Sequence, residues 1–454
     1  MSHKSKDSIE ARDLKSHLHG FSDFNSMQNV GSIIMSKGDG PYVTDVNGKK
    51  YIEANSGLWN AVVGFNHKEL QKVACDQFNK FPVYHSFFGR TSDTTVELAE
   101  KLIEISPVPM SKVFFTNSGS EANDSAIKML WMINNLKGNP KKRKIITRYG
   151  AYHGVTGIAT CLTARPYNDV FNMPKDDFLY TDTPHYWKFS NPEETEIQFT
   201  QRLADNLEKL IIDEDPNTIA GFIAEPVMGA GGVIIPPTDY FQSIQKILKK
   251  FNIPFIADEV ICGLGRTGNL WGTTTFDMKP DIIIASKCIT AGYFPIGAVL
   301  ISKEIEEQLM DVAKSSEEFP HGFTNGGHPV ACAVGLKAID IITNEGVFKN
   351  MQEISPHFFE KMSSFKDHPN IGEVRCVGLM GALEMVAQKK PQELFTSQNN
   401  PGEKIAIMAL KHGLICRPTG SSIILAPPFI MTHKQIDEMF DKLELTMKEV
   451  LDKI

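Results

Sequence analysis

The chain has 454 residues, a formal net charge of −7 at pH 7 and 42% hydrophobic residues. That balance suits a soluble subunit of two packed domains and argues against a disordered or fibrous chain. Lysine and arginine form no long basic block, so no nucleic-acid surface is expected, and no run of about 18 apolar residues is present to span a membrane.

Taken in chain order, the opening MSHKSKDSIEARDLKSHLHG is polar throughout and lacks the apolar centre of a secretory signal. Short apolar runs then alternate with helical patterns, as in an α/β fold whose mostly parallel sheet is flanked by helices. Strands are expected at KVFF (112–115), KIIT (144–147), IAGFIAE (219–225), IPFIADE (253–259), DIIIAS (281–286) and IGAVLI (296–301). The unbroken apolar run in DIIIAS suits a strand buried on both faces. Between these, YFQSIQKILKKF (240–251) places Ile244, Ile247, Leu248 and Phe251 on one helical face. From about residue 330 the texture becomes helix-rich. The last helix opens at THKQ, where Thr432 and Gln435 can form a capping box. Ile436, Met439, Phe440, Leu443, Met447, Val450 and Leu451 supply its apolar stripe. The expected division is a large domain over 61–329 and a smaller α+β domain built from 330–454 with help from the N-terminal segment 1–60. The seven cysteines, Cys75, Cys161, Cys262, Cys288, Cys332, Cys376 and Cys416, stand singly with no CxxC pair. They are expected as reduced, buried thiols of a cytoplasmic protein.

Three features along the sheet carry chemistry. KVFFTNSGSEANDSAIKMLWMI reads as a strand, a Gly/Ser turn and a helix with Ala122, Ala126, Leu130 and Ile133 on one face. Free backbone N–H groups at Ser118, Gly119 and Ser120, with the helix dipole behind them, favour an anion such as phosphate, although simple N-capping is the commoner use of such serines. Asp258 ends the strand IPFIAD, where open α/β sheets bind ligands. Lys287 follows DIIIAS, and 287 − 258 = 29 residues separate the two, a distance suited to strands ending on the same side of one sheet. A lysine after a strand is usually a solvated charge, but one desolvated by such a wall loses proton affinity and can attack carbonyls. Together the three meet the needs of a phosphorylated pyridine aldehyde. The lysine forms the Schiff base, the carboxylate keeps the ring nitrogen protonated, and the helix end holds the phosphate.

A competing motif is GLGRTG (263–268), which matches the dinucleotide pattern G-x-G-x-x-G letter for letter. That pattern needs a helix after its last glycine to hold the pyrophosphate. Gly268 is instead followed by the turn-rich NLWGTTTFDMKP, which has no helical period. The dinucleotide reading fails on context.

TNSGSEAND, YGAYHGVTG, AEPVMGAGG, ADEVICGLGRTG, ASKCITAGYFPIGAV and HGFTNGGHP, in that order, resemble the class III pyridoxal-phosphate aminotransferases, of fold-type I, from about residue 20 to the C-terminus. NSGLWN, YHSFFGR and LICRPTGSS resemble the bacterial amine–pyruvate transaminases, or ω-transaminases, in particular. The resemblance implies that Lys287 carries pyridoxal 5'-phosphate and shuttles the proton, while Asp258 pairs with the pyridinium. It implies Val260 against one ring face and Tyr152 stacked on the other, Ser120 and the Gly119 amide on the phosphate, and Glu225 ordering the hydrogen bonds around the ring. Thr324 would reach the phosphate from the partner subunit, which makes a homodimer necessary for activity. Arg417 would grip the carboxylate of pyruvate or alanine by a bidentate fork. Leu58, Trp59, Phe87, Phe88, Tyr152 and Phe21 would line a larger pocket, Phe87 and Phe88 coming from the neighbour, and Val155 and Ala230 would restrict a smaller one. The reaction implied moves an amino group from a primary amine or ω-amino acid to pyruvate through a pyridoxamine phosphate intermediate, leaving alanine and an aldehyde or ketone. The one departure is TNGGHP, with Asn325 and Gly326 after Thr324.

An aminomutase or decarboxylase would use the same lysine, aspartate and phosphate cradle; Arg417 and the apolar pocket favour amino transfer. A binding protein that keeps the cofactor without chemistry is a further reading, and no catalytic position is empty to support it. His85, His153, His185, His321 and His328 show no metal-ligand spacing, and no metal is expected.

Overall fold

The computed structural model describes residues 8–316, 318–396 and 398–452. At its centre lies a seven-stranded sheet in the order Lys112–Thr116, Gly297–Ile301, Ile282–Ala285, Phe255–Asp258, Ile219–Ala224, Lys144–Arg148, Phe178–Thr181. Gly297–Ile301 runs antiparallel to both its neighbours, and the remaining pairs are parallel. The fold class is thus the expected α/β arrangement, with each of the six expected strands in place. The seventh, Phe178–Thr181, was not anticipated; it is a half-buried edge strand of four residues, too short to show a period.

Apolar continuity explains why the centre is a sheet. Ile282, Ile283 and Ile284 are all 0% exposed, because helices cover both faces. The helix Gly119–Leu136 buries Ala122, Ala126, Leu130 and Ile133 as its spacing requires. Tyr240–Lys250 buries Ile244, Ile247 and Leu248, but Phe251 falls one residue beyond it, at the C-cap. In His433–Leu451 both arms of the capping box form between Thr432 and Gln435, and the whole expected stripe is buried.

Two four-stranded sheets flank this centre. One joins Met35–Asp39, Tyr42–Asp45 and Lys50–Glu53 to Leu414–Ile415, so the N-terminal segment pairs directly with the C-terminal third. The other is built from Ile371–Val377, Met380–Met385, Ser422–Leu425 and Arg417–Thr419. The cysteines are all unpaired, but Cys75 is exposed and Cys376 half-buried, against the expectation that each is buried. Cys75 lies on the amphipathic helix Lys68–Lys80, where core packing does not reach it. Among the described residues no helix is long and apolar enough to cross a membrane.

Candidate active site

Phe255–Asp258 and Ile282–Ala285 are adjacent parallel strands, with Asp258 paired to Ile284. Their C-terminal ends therefore deliver Asp258 and Lys287 to one point of the sheet edge. A cavity of about 210 Å³ opens there, lined by Gly119, Ser120, Tyr152, Glu225, Asp258, Val260 and Lys287. Seven of the eight residues expected at the cofactor thus meet around one space; Thr324 is the exception. A larger cavity of about 800 Å³ borders Pro254, Phe255 and Asp281 instead. It lies at the starts of the strands, the end of an α/β sheet that ordinarily binds nothing.

Asp258 is 3% exposed and firmly held. Its Oδ2 lies 2.7 Å from His153 Nδ1 and accepts from Asn123 Nδ2 at 3.0 Å, while Oδ1 accepts from the Val260 amide at 3.1 Å. Among the described residues His153 Nε2 has no hydrogen-bond partner, so the ring meets Asp258 through Nδ1 alone. The sequence reading weighed His153 only as a metal ligand and missed Asn123 entirely. The signal for His153 was its place between Tyr152 and Gly154 in AYHG; for Asn123, a polar residue on the apolar face of a helix. Ser286, Ile261 and Gly154 also line the cavity unforeseen.

Lys287 has φ +31°, an uncommon backbone conformation for a side-chain-bearing residue, just where the strand gives way to a 3₁₀ turn. Burial holds its amine below the usual lysine range, with the charges of Asp258 and then Glu225 opposing the shift. A neutral amine at the end of an apolar strand is what attack on a carbonyl requires. Glu225 is pushed the other way, above the usual carboxylate range, by its own burial. It accepts from the Tyr152 amide at 3.1 Å and the Gly229 amide at 3.2 Å.

The N-cap reading of the Gly/Ser turn is seen directly. Ser118 caps the helix, accepting from the Glu121 amide at 3.2 Å, while Gly119 and Ser120 face the cavity. Close packing explains the glycines. A Cβ on Gly119 would lie 2.9 Å from Val260 Cγ2, and one on Gly154, at φ +130°, would lie 2.2 Å from Ser120 Oγ. A buried amine, an anchored carboxylate and an anion cradle around a ring-sized space fit a phosphorylated pyridine.

Apart from Tyr152, the expected substrate residues are not among those lining this cavity. Leu58 is 62% exposed, Phe21 74%, Phe88 81% and Val155 57%, while Trp59 and Ala230 are buried. Trp59 packs with Val227, Ile261 and Ile424. Phe21 meets Tyr167 edge-on at 5.5 Å. Phe87 lies under Gly322, two residues from the exposed Thr324, so these two residues and Phe88 belong to one stretch of surface. Arg417 begins the strand Arg417–Thr419 and makes no ion pair among the described residues. Burial lowers its proton affinity, and the nearby Arg165 adds to that shift. Arg165 Nη2 donates to the Ala230 carbonyl and its Nε finds no acceptor. Of histidines elsewhere, His17 and His19 do gather with Asp13, their ligand atoms within 4.8 Å of one another, each ring hydrogen-bonded to the carboxylate. That grouping was not foreseen.

This geometry agrees with three comparisons. The family model "Aminotransferase class-III" matches residues 25–447. The chain belongs to the class III aminotransferases, and it is a pyridoxal-phosphate-dependent aminotransferase of fold-type I. A PMP-bound aminotransferase from Vibrio fluvialis is 52% identical with a TM-score of 0.97, covering 98% of this chain and 99% of its own. An omega-aminotransferase from Paracoccus denitrificans is 51% identical at the same TM-score, covering 98% and 100%. A probable gamma-aminobutyrate transaminase 3, mitochondrial, from Oryza sativa subsp. indica is 42% identical over 99% of this chain and 89% of its own length.

Proposed function

We propose that the enzyme transfers an amino group from a primary amine or ω-amino acid to pyruvate, yielding alanine and an aldehyde or ketone. The observation that carries this reading is Arg417, an arginine without an ion-pair partner whose charge is felt by both Tyr152 and Lys287. A half-buried guanidinium without a carboxylate is costly, and the carboxylate of a small oxo acid would relieve it. Arg165 adds a second unpaired cation nearby. The similarity to a probable gamma-aminobutyrate transaminase from rice and an omega-aminotransferase from Paracoccus denitrificans supports an ω-amino acid or amine donor.

Pyridoxal phosphate supplies, when bound, a conjugated sink for the electrons released at the substrate carbon. The side chains do the rest. Asp258, held by His153 and Asn123, keeps a proton on the ring nitrogen. Lys287, whose proton affinity is lowered by burial, would hold the cofactor and serve as the base that moves a proton at the substrate carbon. Gly119 and Ser120 would hold the phosphate, Tyr152 and Val260 would pack against the ring, and Glu225, which accepts from the Tyr152 amide, would orient the loop that carries Tyr152. Leu58, Trp59, Phe21, Phe87 and Phe88 form the large apolar pocket, with Val155 and Ala230 limiting the small one. The last element of the proposal is a homodimer in which a neighbour lends Phe87, Phe88 and Thr324.

Incubation of the holoenzyme with alanine alone tests the reading. Release of pyruvate with conversion of the cofactor to its pyridoxamine form is expected, followed by alanine formation from pyruvate with a panel of amines. Release of carbon dioxide instead would mark a decarboxylase. A cofactor band unmoved by alanine and amines alike would mark a binding protein.

A further inference from the structure

No helix follows GLGRTG directly: Gly268 leads into a bend, and the next helix, Gly272–Thr275, has four residues. Gly265 and Gly268 have φ +117° and +96°, and a Cβ on Gly378 would lie 2.4 Å from the Arg266 carbonyl oxygen. The glycines therefore let the chain pass close to a neighbouring turn while Arg266 points into the interior. Arg266 is 0% exposed. Its Nη1 donates to the carbonyls of Leu379 at 2.9 Å and Pro427 at 2.7 Å, and its Nη2 donates to Ser56 Oγ at 3.1 Å. The guanidinium also sits 4.5 Å from the Phe429 ring centroid.

Ser56 opens a turn of unusual shape. Ser56, Gly57 and Trp59 have φ +49°, +66° and +70°. A left-handed backbone at two side-chain-bearing residues within four persists only where its surroundings over-determine it. Glu53, 5% exposed, supplies much of that determination, accepting from the Asn55 amide at 3.3 Å and from the Gly57 amide. Ser56 Oγ in turn donates to the Ala426 carbonyl at 2.7 Å. At the far end of the turn, the Trp59 carbonyl accepts from Cys288 Sγ at 3.5 Å, and Cys288 directly follows Lys287. The turn is anchored on both sides, and its one outward side chain is Leu58.

We propose that Glu53 and Arg266 are positioning residues that hold the Leu58–Trp59 turn in one shape and so determine which amine donors the site admits. This rests on the reading above that Leu58 and Trp59 line the donor pocket. A buried acid and base are rarely the most stable way to fill such a volume, since well-packed apolar side chains often do better. Their value here is geometric. Each reaches backbone or hydroxyl groups of the turn that an apolar side chain could not fix. Burial pushes the Glu53 carboxyl up to about 7, while the bonds from Gly57 and Asn55 and the charge of Arg266 oppose that shift.

The test compares holoenzymes carrying Glu53→Gln, Arg266→Lys or Ser56→Ala with the parent. Steady-state kinetics are taken with isopropylamine and 1-phenylethylamine as donors, alongside the alanine half-reaction and the cofactor absorbance band. In Glu53→Gln the ratio of kcat/KM between the two amines should change by about tenfold or more, mainly through KM. The alanine half-reaction and the absorbance band should stay within about twofold. Ser56→Ala, which removes two hydrogen bonds and no charge, should shift the ratio in the same direction by less, and it serves if Arg266→Lys does not fold. An unchanged ratio in both Glu53→Gln and Ser56→Ala overturns the proposal. So does a uniform fall across both amines, alanine and cofactor binding, which would mark a merely structural pair. If the parent enzyme converts alanine but neither amine, the donor reading above fails instead. The same ratio is then read between a short and a long ω-amino acid.

Discussion

The closed end of the cavity and its mouth are built in opposite ways. Around Asp258 a strand end, the helix that carries Asn123 and the loop that carries His153 converge, and three hydrogen bonds hold one carboxylate. At the proposed mouth, Leu58, Phe21, Phe88 and Val155 are largely exposed, and among the described residues Arg417 makes no ion pair. A single chain can therefore build the end where the chemistry occurs, because parallel strands of one sheet must end together. It leaves the end proposed to select substrate open to solvent. Rigid scaffolding for reacting atoms and adaptable surface for recognition is the usual division in α/β enzymes.

If that contrast is right, variants at the closed end remove chemistry for every substrate. The largest expected effect is that of Lys287→Ala, which should lower turnover by more than about 10⁴-fold for alanine and amines alike, since no other amine lines the cavity. It is checked by stopped-flow conversion of the cofactor with alanine. Asp258→Asn should cost about 10²- to 10³-fold in kcat, comparable to losing one preorganised charge contact at a reacting centre. KM for alanine should move little, because no substrate atom meets this residue. A rise in KM alone, with kcat intact, would break the contrast.

The two ends also differed in how far they could be read beforehand. Asp258, Lys287 and Ser120 were legible because strand ends and a helix N-terminus have sequence signatures, and those signatures imply position. His153 and Asn123 were not. Each is distant in sequence from the aspartate it supports, and no local pattern says that 105 or 135 residues of chain return to one point. The strand Phe178–Thr181 was missed for a similar reason, being defined by its neighbour Lys144–Arg148 rather than by its own pattern. Of the mouth, the residues came from family resemblance alone, and their exposure shows why: an apolar side chain on a turn carries no signal of the surface that will cover it. GLGRTG was the reverse case, a strong pattern whose meaning depended on Arg266 meeting Leu379, Pro427 and Ser56 far along the chain.

Variants at the mouth should discriminate between substrates. Arg417→Ala should cost about 2–5 kcal/mol in kcat/KM for pyruvate, the usual loss when one side of a buried carboxylate–guanidinium pair is removed. The first half-reaction with 1-phenylethylamine, which has no carboxylate, should stay within about threefold. Equal losses would place Arg417 with the closed end and erase the distinction.

The smallest effect is the most telling about the unfinished surface. Leu58 is 62% exposed in one chain, so Leu58→Ala should change the melting temperature hardly at all, by the rule that exposed substitutions fall within about 0.5 kcal/mol. If the mouth is completed by a second copy and by the donor, the same truncation removes apolar contact from the bound amine. At about 0.8 kcal/mol per buried methylene, that should raise KM for 1-phenylethylamine by roughly five- to tenfold, with KM for pyruvate unchanged. Thermal melting and donor kinetics on one preparation read both quantities. A variant with unaltered stability and unaltered donor KM would mean that Leu58 faces solvent in the working enzyme, and that the mouth lies elsewhere.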